Sequence, residues 1–276
     1  AMMQRVWSLT AYFTKSLFFS LTGLILLILT LVYWVLFFPP GQGTPDVENY
    51  IILIGAFGAA ALFLAALSLT GRAGRLENYP LIVRLPSRIE YLAAVILSAL
   101  ILGGGLQLLV AGLALIRGPE VAGHWLMIPP LWLSINILAA VLAIHASDLV
   151  TAGWSRVIVF GSLAVLLILK GMTASPDAWL VERLYDLSNV LLDFNLLALS
   201  NMVDTMSSWL GGPTLNALSQ GAAVIFWPFQ AMSDAVFAGG FTPSQALAPA
   251  VLLLYGSILF LIAAILFAGK DLDFTE

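Results

Sequence analysis

The apolar residues of this chain are gathered into long unbroken runs, separated by shorter stretches that hold nearly all of its charge. Windows of about 19 residues on a transfer scale pick out Leu17 to Phe38, Tyr50 to Leu69, Tyr91 to Ile116, Trp125 to Ala146 and Leu247 to Ala268 as spans. A weaker run, Trp154 to Gly171, has an apolar core from Val157 to Leu169 that falls short of a bilayer interior of about 30 Å. Arg156 and Lys170 at its ends are placed to snorkel outward and complete it. A closed barrel would alternate apolar and polar residues with a period of two, so runs of this kind specify helices, which satisfy their own backbone groups in hydrocarbon. The first run is long enough to cross, and Pro39 and Pro40 follow it in place of a small-residue cleavage site; it reads as a retained span rather than a signal peptide.

Composition agrees with this pattern. Hydrophobic residues make up 61% of the chain and charged residues 9%, against about 45–50% and about 25% in soluble domains. No soluble sphere of this size hides so much apolar surface. The basic residues then orient the spans. With a cytoplasmic amino terminus and six spans, Arg5, Lys15, Arg72, Arg75, Arg84, Arg88, Arg156 and Lys270 fall inside, eight of the 11. Arg117, Lys170 and Arg183 fall outside, where nine of the 15 acids also lie. The expectation is an all-α integral membrane protein with six transmembrane helices and both termini cytoplasmic, forming one membrane domain over residues 1–276.

Between the last two spans lies an outer region, Gly171 to Ala246. Within it, Leu180, Leu184, Leu187, Leu191 and Phe194 recur at three-to-four spacing with Glu182, Asp186 and Asp193 between them, so Pro176 to Leu210 reads as one or two amphipathic helices. Gly211, Gly212 and Pro213 end the pattern. Ala222 to Phe237, interrupted by Pro228, reads as an interfacial or re-entrant helix, with a full crossing as the alternative.

Candidate chemistry inside the spans is sparse. Ionisable residues deep in a span would mark a pathway or proton relay, and the span interiors hold only mild polar groups such as Gln107, Ser134 and Asn136, which read as interhelical glue. His124 and His145 are 21 residues apart on one helix, about 31 Å along its axis, so they cannot share a haem; each reads as an end anchor. Trp7, Trp125, Trp154 and Trp209 read as interfacial belt residues. Gly103-Gly104-Gly105 sits in mid-span with no basic partner, which indicates close helix packing rather than a phosphate loop. The chain has no cysteine, which excludes disulfides and thiolate chemistry. Its few scattered basic residues exclude a nucleic-acid surface, and no serine elbow, paired carboxylate or metal-ligand spacing is present.

The most informative loop is Gly71 to Glu90, on the inner side between the second and third spans. It combines four arginines, two acids and two prolines with an apolar stripe of Leu76, Leu81, Ile82 and Leu85. Such a segment lies along the membrane surface and turns a polar face to water or to a partner; a solvated loop that only fixes topology is the alternative.

At this point the chain resembles the permease subunits of ATP-binding cassette exporters of the ABC-2 type. The closest local likeness is Leu85-Pro86-Ser87-Arg88-Ile89-Glu90-Tyr91, with a second in the ending Phe267-Ala268-Gly269-Lys270-Asp271-Leu272. The layout is similar throughout: residues 1–16 as an amphipathic leading helix, Gly71 to Glu90 as a cytoplasmic coupling segment, and Gly171 to Ala246 as an extracytoplasmic helical region. Where members of the family often carry an acid and a Gly-Thr pair ahead of the proline, this chain has Arg75 and Glu77-Asn78, a divergent form.

The resemblance implies a permease subunit that moves a substrate across the plasma membrane of a bacterium or archaeon. It implies no catalytic, cofactor or metal site in this chain, which lacks the phosphate-loop motif; ATP and Mg²⁺ would be bound by a separate ATPase subunit. A second permease copy, or a related permease, would complete the pathway. Arg75, Glu77, Arg84, Arg88 and Glu90 are the expected contacts to the ATPase, since a charged rim gives such an interface its register. The rival reading is a structural or assembly subunit of a larger electron-transfer or pigment-protein complex, whose spans serve mainly to pack.

Overall fold

The computed structural model describes residues 2–39, 46–115, 128–150, 154–174, 179–210 and 213–270. His124 and Trp125 lie outside them. Among the described residues there is no strand. Helices run in the order α1 (Met2–Phe18), α2 (Leu21–Phe37), α3 (Val47–Ala73), α4 (Tyr79–Arg84), α5 (Arg88–Leu115), α6 (Ile128–Ala146), α7 (Trp154–Ala174), α8 (Trp179–Asp193), α9 (Leu197–Leu210), α10 (Pro213–Phe237) and α11 (Ala248–Ala268). Among the described residues, three helical stretches are long and apolar enough to cross a membrane: α3, α5 and Gln245–Ala268. The pair α1 and α2 makes a fourth if it counts as one span. The chain is thus an all-helical, membrane-embedded protein.

The chain falls into two compact units, Ala1–Val159 with Ala231–Glu276, and Phe160–Gln230. In the first unit α3 packs against α5 and α6, α1 against α5, and α11 against α6. Buried side chains form two clusters. One gathers Phe13, Leu69, Ile82, Tyr91, Leu92, Ile144 and Phe267. The other gathers Tyr50, Ile54, Trp132, Met232 and Leu252. Helices in hydrocarbon gain nothing from hiding Leu from lipid, so close packing and hydrogen bonds must hold the bundle. Both are present: Tyr50 donates to the Ala111 carbonyl at 3.0 Å, Tyr33 to Leu53 at 2.9 Å and Trp132 to Ile51 at 3.2 Å.

The first apolar run is broken. α1 and α2 meet at 71° around Phe19 and Ser20. Ser20 caps α2: its hydroxyl accepts from the Gly23 amide at 3.2 Å and donates to the Leu17 carbonyl at 2.6 Å. The bend brings backbone against backbone, so that a Cβ at Gly23 would lie 2.3 Å from the Leu17 oxygen. Gly23→Ala is therefore expected to force the elbow open, at about 1–3 kcal/mol. Thermal unfolding in detergent and faster proteolysis of α1 would register it; wild-type values for both would refute this account of the bend.

In the second unit α8 and α9 form an antiparallel hairpin. Its turn has Asn195 at φ 60°, with the Leu196 amide donating to Leu191 and the Asn195 amide to Leu192, the left-handed closure that ends many helices. Lys170 lies over the Phe226 ring at 5.4 Å.

Candidate functional site

One end of the first unit gathers the carboxyl ends of α3, α6 and α11, the amino ends of α5 and α7, and the short helix α4. Side chains tie these ends together one by one. Tyr91 donates to the Ala73 carbonyl at 2.8 Å, joining α5 to the end of α3. Arg72 donates to Ser16 at 3.2 Å, and the Asn78 amide to Arg72 at 2.9 Å. Arg88, at the start of α5, donates to the carbonyls of Phe267, Ala268 and Lys270 at the end of α11. Lys270 donates in turn to Asp148 and Leu149 at 2.7 and 3.1 Å, just past α6. Arg156 donates to Ala146 at 2.7 Å and pairs with the Asp148 carboxylate at 2.8 Å.

The chemistry follows from helix ends. Each carboxyl terminus leaves carbonyls without intrahelical partners and carries a partial negative charge, so cations seated there supply both hydrogen bonds and charge complementarity. Burial pushes the Lys270 ammonium below its ordinary range, and the Asp148 carboxylate draws it part of the way back. The ends enclose a cavity of about 300 Å³, with Leu67, Ile82, Leu149 and Phe267 in its wall and Arg156 and Lys270 at its charged side.

The segment Gly71 to Glu90 folds as a helical elbow over this end. After α3 stops at Ala73, a single 3₁₀ turn, Leu76–Asn78, leads into α4, and Leu85 to Ser87 connect to α5. Ile82 is buried, and Tyr79, Leu81 and Leu85 pack against the same cluster. Leu76, expected in the inward stripe, is 53% exposed, and Val83 is 61% exposed. The reason is geometric: the 3₁₀ turn and α4 are separate pieces, so their residues do not share the face that one continuous helix would give them.

The five expected contact residues separate into two groups. Arg75, Glu77 and Arg84 are exposed on the outer face of the elbow. Arg88 is occupied by the end of α11. Glu90 is buried at 3% exposure, and both its oxygens are taken by Arg5, from Nε at 2.9 Å and Nη2 at 3.0 Å. A carboxylate so enclosed presents almost no surface to a partner. It instead fastens the amphipathic helix α1 to the start of α5, which α1 also meets through the Ser98 hydroxyl on the Thr10 carbonyl at 3.0 Å.

Deeper in the bundle, the Gln107 amide donates to the Ile54 carbonyl at 3.1 Å and accepts from the Asn136 amide at 2.6 Å, bridging α3, α5 and α6. These partners fix both amide orientations and leave the buried Asn136 Oδ1 without a donor among the described residues. Gln107→Leu strips Asn136 of its remaining bond and is expected to destabilise by about 1–3 kcal/mol. Gln107→Leu with Asn136→Leu should recover most of that loss, because no orphan is left. A double-mutant cycle in thermal unfolding checks it; simple additivity of the two substitutions would contradict the bridge.

His145 is buried at the end of α6. Its Nε2 faces the Leu259 carbonyl at 3.0 Å and must carry the proton, so Nδ1 accepts from the Ser155 hydroxyl. Both ring nitrogens are used, leaving no coordination position. Among the described residues no cluster of three or more His, Asp or Glu is arranged for a metal. Trp7 and Trp154 are exposed at 63% and 73%. Comparison with protein-family models, with curated proteins and with solved structures gives no match.

Proposed function

We propose that this chain is the membrane-spanning permease subunit of an ATP-binding cassette exporter in the plasma membrane of a bacterium or archaeon, driven by a separate ATPase subunit. The observation that carries the reading is the elbow at Gly71 to Glu90. It joins α3 and α5, two of the longest apolar helices, anchors itself by Ile82, Leu81 and Leu85, and leaves Arg75, Glu77 and Arg84, with Leu76 and Val83, exposed. Exposed apolar side chains together with exposed charges on one short segment are what a docking contact needs for affinity and register. Force applied there acts directly on two membrane helices.

The six-span arrangement with both ends cytoplasmic fits the gathering of helix ends. α3, α6 and α11 finish at the same end where α5 and α7 begin, which is the alternation that successive crossings produce. α6 and α7, at 19 and 21 residues, are about 28 and 31 Å long, close to the hydrocarbon thickness of about 30 Å. Six of the eight described basic residues of this unit, Arg72, Arg75, Arg84, Arg88, Arg156 and Lys270, lie on the elements that meet at this end or in the loops joining them, and Arg5 and Lys15 lie on α1, in keeping with a cytoplasmic face. The leading helix α1, held by the Arg5–Glu90 pair, lies against the same region. ATP and Mg²⁺ belong to the ATPase in this scheme, and a second copy of the chain or a related permease completes the pathway.

Purification of the full chain in a mild detergent tests the proposal. A nucleotide-binding ATPase recovered in one-to-one amount supports it. Recovery with a haem- or pigment-bearing assembly, and no ATPase, overturns it.

A further inference from the structure

The α8–α9 hairpin is built inside out compared with a hairpin made for water. Its seam is closed by serines: Ser188, Ser200 and Ser207 are all buried, and the Ser188 and Ser200 hydroxyls lie 2.9 Å apart. Small residues let the two helices approach closely, which is how helices associate where lipid offers no hydrophobic drive. The large apolar residues are left outside. Leu187 and Phe194 on the first arm, and Leu199, Met202 and Met206 on the second, are exposed by 47% to 73%.

Those exposed residues are not scattered. With about 100° per residue and the seam fixed at Ser188, Leu187 and Val190 fall on one side of α8, with Arg183 at its outer edge, and Glu182, Asn189 and Asp193 on the other. Applied to α9 from Ser200 and Ser207, the same geometry puts Leu199, Met202 and Met206 on one side and Asn201, Asp204 and Ser208 on the other. Because the arms are antiparallel and both helices right-handed, the two apolar sides fall on the same face. The hairpin is a plate, apolar on one face and polar on the other. Tyr185, Leu192 and Leu197 interrupt the polar face without changing its character. That face carries the acids Glu182, Asp186, Asp193 and Asp204; Arg183 falls by the same geometry at the outer edge of the apolar side, paired with Asp186 at 3.4 Å.

The geometry points to a lipid surface as the partner: the α8–α9 plate lies flat in the headgroup–acyl boundary of the same bilayer, apolar face down and acidic face to water. The chain is already membrane-embedded, so the bilayer is the apolar phase at hand. With a single arginine among four acids, the plate is held by apolar burial and not by attraction to anionic headgroups. This inference is independent of the exporter reading.

The chain has no cysteine, so single nitroxide-labelled cysteines report without background. Leu187→Cys, Met202→Cys and Met206→Cys sample the apolar face, and Asn189→Cys and Asn201→Cys the polar face, in the full chain reconstituted into phosphatidylcholine vesicles. The apolar-face labels are expected to collide several-fold more with oxygen, and several-fold less with a water-soluble nickel chelate, than the polar-face labels. Equal nickel access on both faces overturns the inference, as does immersion that appears only after anionic lipid is added. Dipolar broadening between Met202→Cys labels of two copies also overturns it, because a second copy would then cover the face. Monodisperse gel filtration of each variant establishes that it is folded.

Discussion

Under the exporter reading, Arg75→Glu combined with Arg84→Glu is expected to release the proposed ATPase partner and abolish coupled ATP hydrolysis, while the level of membrane-inserted chain stays unchanged. Both side chains are exposed on the outer face of the elbow, so the fold does not depend on them. Placing like charges across a rim costs several kcal/mol in association, and each 1.4 kcal/mol is about tenfold in affinity. Retention of the proposed ATPase partner on the tagged chain should fall at least about tenfold. Arg88→Glu should behave differently. That residue binds three carbonyls at the end of α11, so its reversal should lower thermal stability and the yield of folded protein whether or not a partner is present. Undiminished coupling in the Arg75 and Arg84 double variant would remove the elbow from the interface.

The three successive glycines of α5 are expected to answer alanine in opposite ways. A Cβ at Gly103 would lie 2.5 Å from Leu62 Cγ and 2.9 Å from Leu62 Cα, and the second of these is backbone that no rotamer change can move. α3 and α5 would have to separate, in a bundle where close approach is itself the stabilising interaction. Gly103→Ala should therefore cost about 1–3 kcal/mol. Gly104 and Gly105 face open space, with nothing within 4 Å of either Cβ position. Alanine there should be neutral or stabilising, by up to about 1 kcal/mol, through helix propensity. Thermal unfolding of the three single variants in one detergent is the check. Equal effects at all three positions would mean that α3 and α5 do not pack through Gly103.

Much of the helical frame was legible because a bilayer reads hydrophobicity over a whole span. The runs at Tyr50, Tyr91 and Leu247 became α3, α5 and α11 with small shifts at the ends. The elbow between α1 and α2 was hidden, since Leu17 to Phe38 is apolar throughout and hydropathy does not register a bend. Its signal was local: Ser20, a residue type whose side chain caps a helix start. Gln107 and Asn136 were legible as glue by type, but not as partners of one another across α5 and α6.

Glu90 shows where a linear reading stops. Its place in an arginine-rich loop suggested a surface contact, and only the fold brings Arg5, 85 positions away, onto both its oxygens. Leu76 erred in the opposite sense, because the change from a 3₁₀ turn to α4 resets the helical phase. The two-faced character of α8 could be read from its spacing, whereas the serine seam that sets the two apolar faces side by side needed the pairing of α8 with α9.

The claim on which the account turns is that the elbow over Gly71 to Glu90 faces the cytoplasm, where a motor can reach it. Leu76→Cys and Val83→Cys, introduced singly into the cysteine-free chain, place it directly through a membrane-impermeant maleimide. The account predicts no labelling in intact cells and full labelling in inverted vesicles. Labelling of either cysteine in intact cells would put the elbow outside and contradict the account.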